Sequence, residues 1–205
     1  RRDLRNLDFV TIDGKTARDF DDAVCVITDK DSPGSFRLFV AIADVAHYVW
    51  PEDPVDMEAL ERGTSVYFPT HAVPMLPEEL SNNLCSLRPN VNRLTLTCEM
   101  RFNDEGEVVG YSLSESIIRS RARLIYEDVA DFLDGRHSSI RDPKLQTNIL
   151  NMHKLAIILE RKRIRRGAVQ FSFAEEVFEF DADQQMTGIG RIYQSSAMKL
   201  IEQFM

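Results

Sequence analysis

Four aspartates, Asp13, Asp19, Asp21 and Asp22, fall within ten positions in the segment Thr11-Ile-Asp-Gly-Lys-Thr-Ala-Arg-Asp-Phe-Asp-Asp-Ala-Val24. Carboxylates this close repel one another, so leaving them unpaired is destabilising. A divalent cation relieves that repulsion. Hard oxygen ligands in a partly hydrated octahedral site suit Mg2+, with Mn2+ as a substitute. Short aspartate side chains hold the ion near the backbone and leave coordination positions for water and phosphate oxygens. Other meanings of the segment compete with this one. A solvated acidic turn needs no ligand at all. An EF-hand loop starting at Asp19 requires Gly near Val24 and Glu near Lys30, and both are missing. A nucleophilic Asp-x-Asp of the phosphatase type directly follows an apolar strand, whereas Ala17 and Arg18 precede Asp19.

The flanking segments have the character needed to position such a loop. Residues 7–12 read as a strand, 13–22 as the loop, and Ala23 to Thr28 as a short buried strand rich in β-branched residues. Past the turn cluster Lys30 to Ser35, residues 36–45 return as an antiparallel partner. Residues 53–63 have helix chemistry, with Asp at the start, Pro in the first turn and Gly at the end. A short strand over 64–68, a Pro-bounded irregular stretch over 70–77 and a short helix over 77–87 follow. Residues 94–103 and 107–118 alternate around Asp104-Glu-Gly106 as a hairpin. Helices are expected over 126–133 and 143–166, strands over 169–180 and 186–192, and a last helix from Ser195. The fold class is therefore α+β (mixed α/β): one domain over 1–205 with a mostly antiparallel sheet packed by helices. The start at Arg1 and the stop at Met205 inside an apolar helical pattern suggest a piece of a longer protein, incomplete at the C-terminus.

At 205 residues, 43% hydrophobic and 28% charged, the chain is long enough for a substantial core and has an ordinary globular composition. No apolar run approaches the roughly 18 residues of a membrane span. Cys25, Cys85 and Cys98 form no CxxC pair, which argues against a zinc site or a disulfide framework and fits a cytoplasmic location. The net charge of −8 is unpromising for a nucleic-acid partner. Its distribution offsets that objection, because basic residues gather at Arg119 to Arg123 and Arg161 to Arg166. The second run could supply phosphate contacts, but a solvated helix face is the commoner meaning of such a run.

The aspartate segment, with its Ala-Arg-Asp-Phe-Asp-Asp-Ala core, resembles the signature of the ribonuclease II/ribonuclease R catalytic domain. Further blocks follow in the family's order: Ala41 to Val49 (AIADVAHYV), Arg62 to Pro69 (RGTSVYFP), Pro74 to Pro77, Leu80 to Leu87, Arg119 to Tyr126, Arg166 to Val169 and Leu200 to Met205. The resemblance covers the whole chain and leans toward the ribonuclease R branch. It implies processive, hydrolytic 3′→5′ degradation of RNA to nucleoside 5′-monophosphates by two-metal catalysis. On that resemblance Asp13, Asp19, Asp21 and Asp22 are metal ligands and water-positioning groups. Asp13 and Asp22 are in direct coordination, and Asp21 is the most critical for the chemistry. Tyr67 matches a tyrosine that stacks on a terminal base, and Tyr126 and Phe171 match positions that hold the 3′ end and clamp bases. For all three, core packing is the alternative role. Arg18 pairs with a neighbouring carboxylate or meets the scissile phosphate. Asn82, Asn83 and Ser81 suit a loop contacting phosphate or ribose, or a helix cap, and His47 is read as structural. The implied partners are a single-stranded RNA 3′ end and RNA-decay complex components, with no membrane.

Three departures from the family pattern matter. The later Thr-Ser-Pro-Ile-Arg-Arg-Tyr block, which supplies an arginine on the scissile phosphate, is not in this sequence. Neither are the flanking cold-shock and S1 OB-fold modules. Family members often carry Glu-Glu where this chain has Glu202-Gln203. The 205 residues alone are thus expected to hold the metal ligands but to be weakly active or inactive. A degenerate RNA- or protein-binding module without turnover is the second reading. A phosphatase or phosphodiesterase for small substrates is the third, and it leaves Tyr67 and the ordered blocks unexplained.

Overall fold

The run Ala23 to Val26 is apolar at every position because its strand is covered on both faces. The computed structural model describes residues 1–29, 32, 34–68, 71–169, 174–181 and 185–205. Its central sheet is built from β1 (Arg2–Asp3), β2 (Val10–Asp13), β3 (Asp22–Thr28), β4 (Phe36–Ala43), β7 (Asn92–Phe102), β8 (Val108–Arg119) and β9 (Ala122–Ile125). Their order across the sheet is β1-β8-β7-β4-β3-β2-β9. The β1–β8 and β2–β9 pairs are parallel and the other four pairs are antiparallel. The expected hairpin is there, with β7 and β8 closing around Asn103 to Glu107.

Side chains along a strand alternate between faces, so each strand divides between two cores. Val24 and Val26 of β3 join Leu38 and Val40 of β4 under the helices α2 (Tyr126–Leu133), α3 (Pro143–Arg165) and α4 (Ser196–Glu202). Ala23 and Cys25 join Phe39, Ala41, Phe9, Phe20 and Leu87 on the opposite face. The helix α3 is capped by Asp142, whose side chain accepts from the Lys144 N–H, with Pro143 in its first turn. It buries Leu145, Ile149, Met152 and Leu155 against the sheet. Asn148 on the same stripe is buried yet fully engaged. Its Oδ1 accepts from the Val26 N–H at 2.9 Å and its Nδ2 donates to the Asp8 carbonyl at 2.7 Å. Strands β2 and β3 pair only at Val10↔Val24, and Asn148 joins β3 to the segment leading into β2.

Three differences from expectation are physical. The strand 36–45 stops at Ala43, because the Asp44 N–H bonds to the Leu94 carbonyl and Val45–His47 turn away as a short 3-10 segment. His47, read as structural, is exposed on that turn, edge-on to Tyr48. The Ala122–Ile125 strand was not anticipated. Its basic neighbours dominate the composition, although Ala122 and Leu124 face the helical core while Arg123 takes the other side. Residues 79–84 form one wide helical turn, with the Cys85 N–H reaching back to the Leu80 carbonyl.

Between Tyr48 and Leu80 no described residue enters either core. This arm consists of α1 (Pro54–Arg62), which ends at Gly63 with φ 72°, and the small hairpin β5 (Val66–Tyr67) with β6 (Ala72–Val73). A second small sheet pairs β10 (Ala174–Phe180) with β11 (Met186–Tyr193). Among the described residues no helix is long and apolar enough to cross a membrane.

Candidate active site

Antiparallel pairing of β2 with β3 puts Asp13, at the end of one strand, and Asp22, at the start of the next, at the same end of the sheet. The loop between them supplies Asp19 and Asp21. Strand β9 ends at that same level, with Ile125 opposite Asp13, so Tyr126 opens α2 beside the loop. The Asp21 carbonyl accepts from the Ala43 N–H at 2.9 Å, which fixes that residue against the end of β4.

Two side chains hold the loop from beneath. The buried Ser86 hydroxyl accepts from the Phe20 N–H and donates to the Arg18 carbonyl, both at 3.1 Å. The Leu87 N–H donates to the Phe20 carbonyl in the same place. From the other side Arg123 donates through Nη2 to the Gly14 and Lys15 carbonyls, each at 2.8 Å, and its guanidinium lies 5.5 Å from the centre of the Phe20 ring. Phe20 anchors the middle of the loop in the core, and Asp19 and Asp21 flank it. Neither Ser86 nor Arg123 was read from sequence as a loop support. Both lie inside blocks that resemble the family, and only the fold reveals what they touch.

Electrostatics mark the loop as frustrated. Burial, then the charge of Asp22, pushes the Asp13 carboxyl from its ordinary 3.8 up to about 6, and its buried Oδ2 has no hydrogen-bond partner among the described residues. Asp22 is raised by burial and then by Asp21, and Asp21 by burial and then by Asp19. The repulsion thus runs as a chain from Asp13 through Asp22 and Asp21 to Asp19. Among the described residues no three His, Cys, Asp or Glu side chains are gathered tightly enough to hold a metal ion. The four aspartates are neighbours rather than a closed ligand shell. An all-carboxylate set with an orphaned buried oxygen nevertheless has the chemistry that a hard divalent cation satisfies.

The candidate RNA contacts divide. Tyr67 is 69% exposed, and its hydroxyl donates to Asp19 Oδ2 at 3.0 Å. That bond, first among the causes, raises its phenol. Core packing is thereby removed as its role. Tyr126 is half-buried against the helical core, and its phenol is raised by burial and then by the charges of Asp13 and Asp22, which places it at the site. Arg18 is exposed on the loop. Phe171 lies outside the described residues. Ser81, Asn82 and Asn83 sit on the wide turn at 79–84, where Arg93 holds the Asn83 and Ser86 carbonyls.

The family whose pattern this sequence fits is the RNB domain. The chain matches that domain over residues 1–205 and belongs to the RNB family. Ribonuclease R of Escherichia coli (strain K12) is 45% identical over 207 residues, an alignment that takes in 100% of this chain and 25% of that protein. Ribonuclease R of Vibrio parahaemolyticus is 44% identical over 206 residues, covering 100% of this chain and 24% of that protein. The chain therefore spans about a quarter of the length of these curated relatives. Mycoplasma genitalium RNase R, solved in complex with double-stranded RNA, superposes with a TM-score of 0.95 at 35% identity, over 100% of this chain and 36% of that one. Yeast Ssd1, a pseudonuclease, shares the fold at a TM-score of 0.74 and 17% identity, over 100% of this chain and 24% of that one.

Proposed function

We propose that residues 1–205 are the N-terminal part of the catalytic domain of a processive 3′→5′ exoribonuclease that hydrolyses RNA to nucleoside 5′-monophosphates with Mg2+. The observation that carries this reading is the repulsive aspartate chain, held rigidly by Ser86 and Arg123 in an RNB domain. Asp13, Asp19, Asp21 and Asp22 are the residues that would hold the metal, with Mn2+ as a substitute. The chemistry supplied at such a site when Mg2+ is bound is activation of the attacking water and stabilisation of the departing 3′ oxygen.

The chain's own residues do the seating. Tyr67 offers an exposed ring on which a terminal base of any identity stacks. Tyr126, beside Asp13 and Asp22, steadies the 3′ end, and Phe171 clamps the bases behind it. Arg18 meets the phosphate next to the loop. Asp21 is the carboxylate whose loss removes turnover. The substrate is the 3′ end of single-stranded RNA, the setting is the cytoplasm, and other components of an RNA-decay complex are candidate partners.

A second reading, a module that binds RNA or protein without turnover, is favoured by one observation. Gln203 carries a buried side-chain oxygen with no partner among the described residues, at a position where family members often have Glu. One experiment separates the two. The full-length protein and its Asp21→Asn variant are incubated with 3′- and 5′-labelled single-stranded RNA in Mg2+ or EDTA. Shortening from the 3′ end to 5′-monophosphates, abolished by both EDTA and the substitution, supports the exoribonuclease. Binding without shortening establishes the second reading.

A further inference from the structure

The arm between Tyr48 and Leu80 lies outside both cores but is braced internally. Arg62 Nη1 donates to the Pro74 carbonyl at 2.7 Å, and the Met75 N–H donates to Ser65 Oγ at 2.9 Å, which ties α1 to the β5–β6 hairpin. Tyr67 projects from that hairpin, and its hydroxyl ends on Asp19 Oδ2. A solvent-facing tyrosine needs no hydroxyl partner to stay dissolved, and a ring that only stacks on bases needs no hydroxyl at all. The bond joins a peripheral arm to one member of the repulsive carboxylate chain.

Building on the exoribonuclease reading above, we infer that the Tyr67 hydroxyl is a positioning group for Asp19, with a role separate from that of the ring. The donated hydrogen bond occupies one oxygen of Asp19 and fixes the carboxylate plane, so the other oxygen is presented in a constant orientation. Hydrogen bonds to ligating carboxylates commonly change metal affinity or activity by about 10- to 100-fold when removed. Asp19 is also the member of the chain that crowds Asp21, so an Asp19 free to rotate disturbs its neighbour as well. Because the arm is braced, the Tyr67 hydroxyl is held in a fixed place against Asp19.

The test separates hydroxyl from ring. Tyr67→Phe keeps the ring and removes the donor, whereas Tyr67→Ala removes both. Mn2+ binding is followed by electron paramagnetic resonance on the full-length protein without RNA, and binding of a single-stranded oligoadenylate is measured in EDTA. Tyr67→Phe is expected to weaken Mn2+ by about 10-fold while oligoadenylate affinity stays near that of the wild type. Tyr67→Ala weakens both. In an Asp19→Asn background the Phe substitution has no further effect on Mn2+, since its target has lost its charge. Wild-type Mn2+ affinity in Tyr67→Phe overturns the inference, provided the wild type shortens RNA, and leaves the exoribonuclease reading standing. A wild type that neither binds Mn2+ nor shortens RNA overturns the exoribonuclease reading itself.

Discussion

Replacing Asp13 with Asn should make the metal-stripped protein more stable at neutral pH, by an amount the structure supplies. Asp13 is held at about 6 in the folded chain against an ordinary 3.8. Between those values the folded chain keeps a proton that the unfolded chain has released. Stability is therefore fully present below 3.8 and is lost as pH rises through about 6. At about 1.4 kcal/mol per pH unit the full effect is about 3 kcal/mol, and partial contact with water reduces it to about 2 kcal/mol. Asn cannot ionise and escapes this loss. Reversible urea unfolding in EDTA, run on both proteins across the range, reads the difference directly; contributions from distant carboxylates cancel, and relief of Asp22, which repels Asp13, adds to the gap in the same direction. The gap should open from near zero at about pH 4 to about 2 kcal/mol at about pH 7. Millimolar Mg2+ should then close or reverse it, because a ligand that binds only the native wild type stabilises that protein alone. A gap that stays flat across this range would mean that Asp13 is not strained, and the account of the loop as a frustrated cluster would fail.

Two further substitutions test the same geometry. Ser86→Ala leaves the Phe20 N–H and the Arg18 carbonyl without their partner, so stability should drop by about 2 kcal/mol. In steady-state kinetics on RNA, kcat should fall more than KM rises, because the aspartates lose their fixed spacing. Asn148→Leu keeps the volume but orphans the Val26 N–H and the Asp8 carbonyl, which should cost about 2–4 kcal/mol and lower the thermal midpoint by several degrees. Its residual activity at low temperature should stay close to wild type, since Asn148 touches none of the four aspartates.

The parts of the fold that were legible in the sequence are those governed by local rules. The β7–β8 hairpin followed from alternation around Asp104-Glu-Gly106, α1 from Asp53, Pro54 and Gly63, and α3 from the long amphipathic pattern over 143–166. The β9 strand was hidden, because four residues next to a helix start have no period to detect and Arg121 and Arg123 suggest a surface. The aspartate loop itself was plain from composition. What holds it was not, since Ser86 and Asn148 act across sequence separations that no local pattern encodes. The Tyr67–Asp19 bond is of the same kind: residue identity marked the tyrosine, and only the folded chain shows where its hydroxyl goes.

The described residues between Tyr48 and Leu80 enter neither packed core, and this bears on how such a protein can diversify. Substitutions in a core are felt by many neighbours at once, so they are filtered for stability before they are filtered for use. Changes along α1 or the small hairpin escape the first filter. A lineage can lengthen or recharge this stretch around the Tyr67–Asp19 contact while the sheet and its carboxylates are inherited intact.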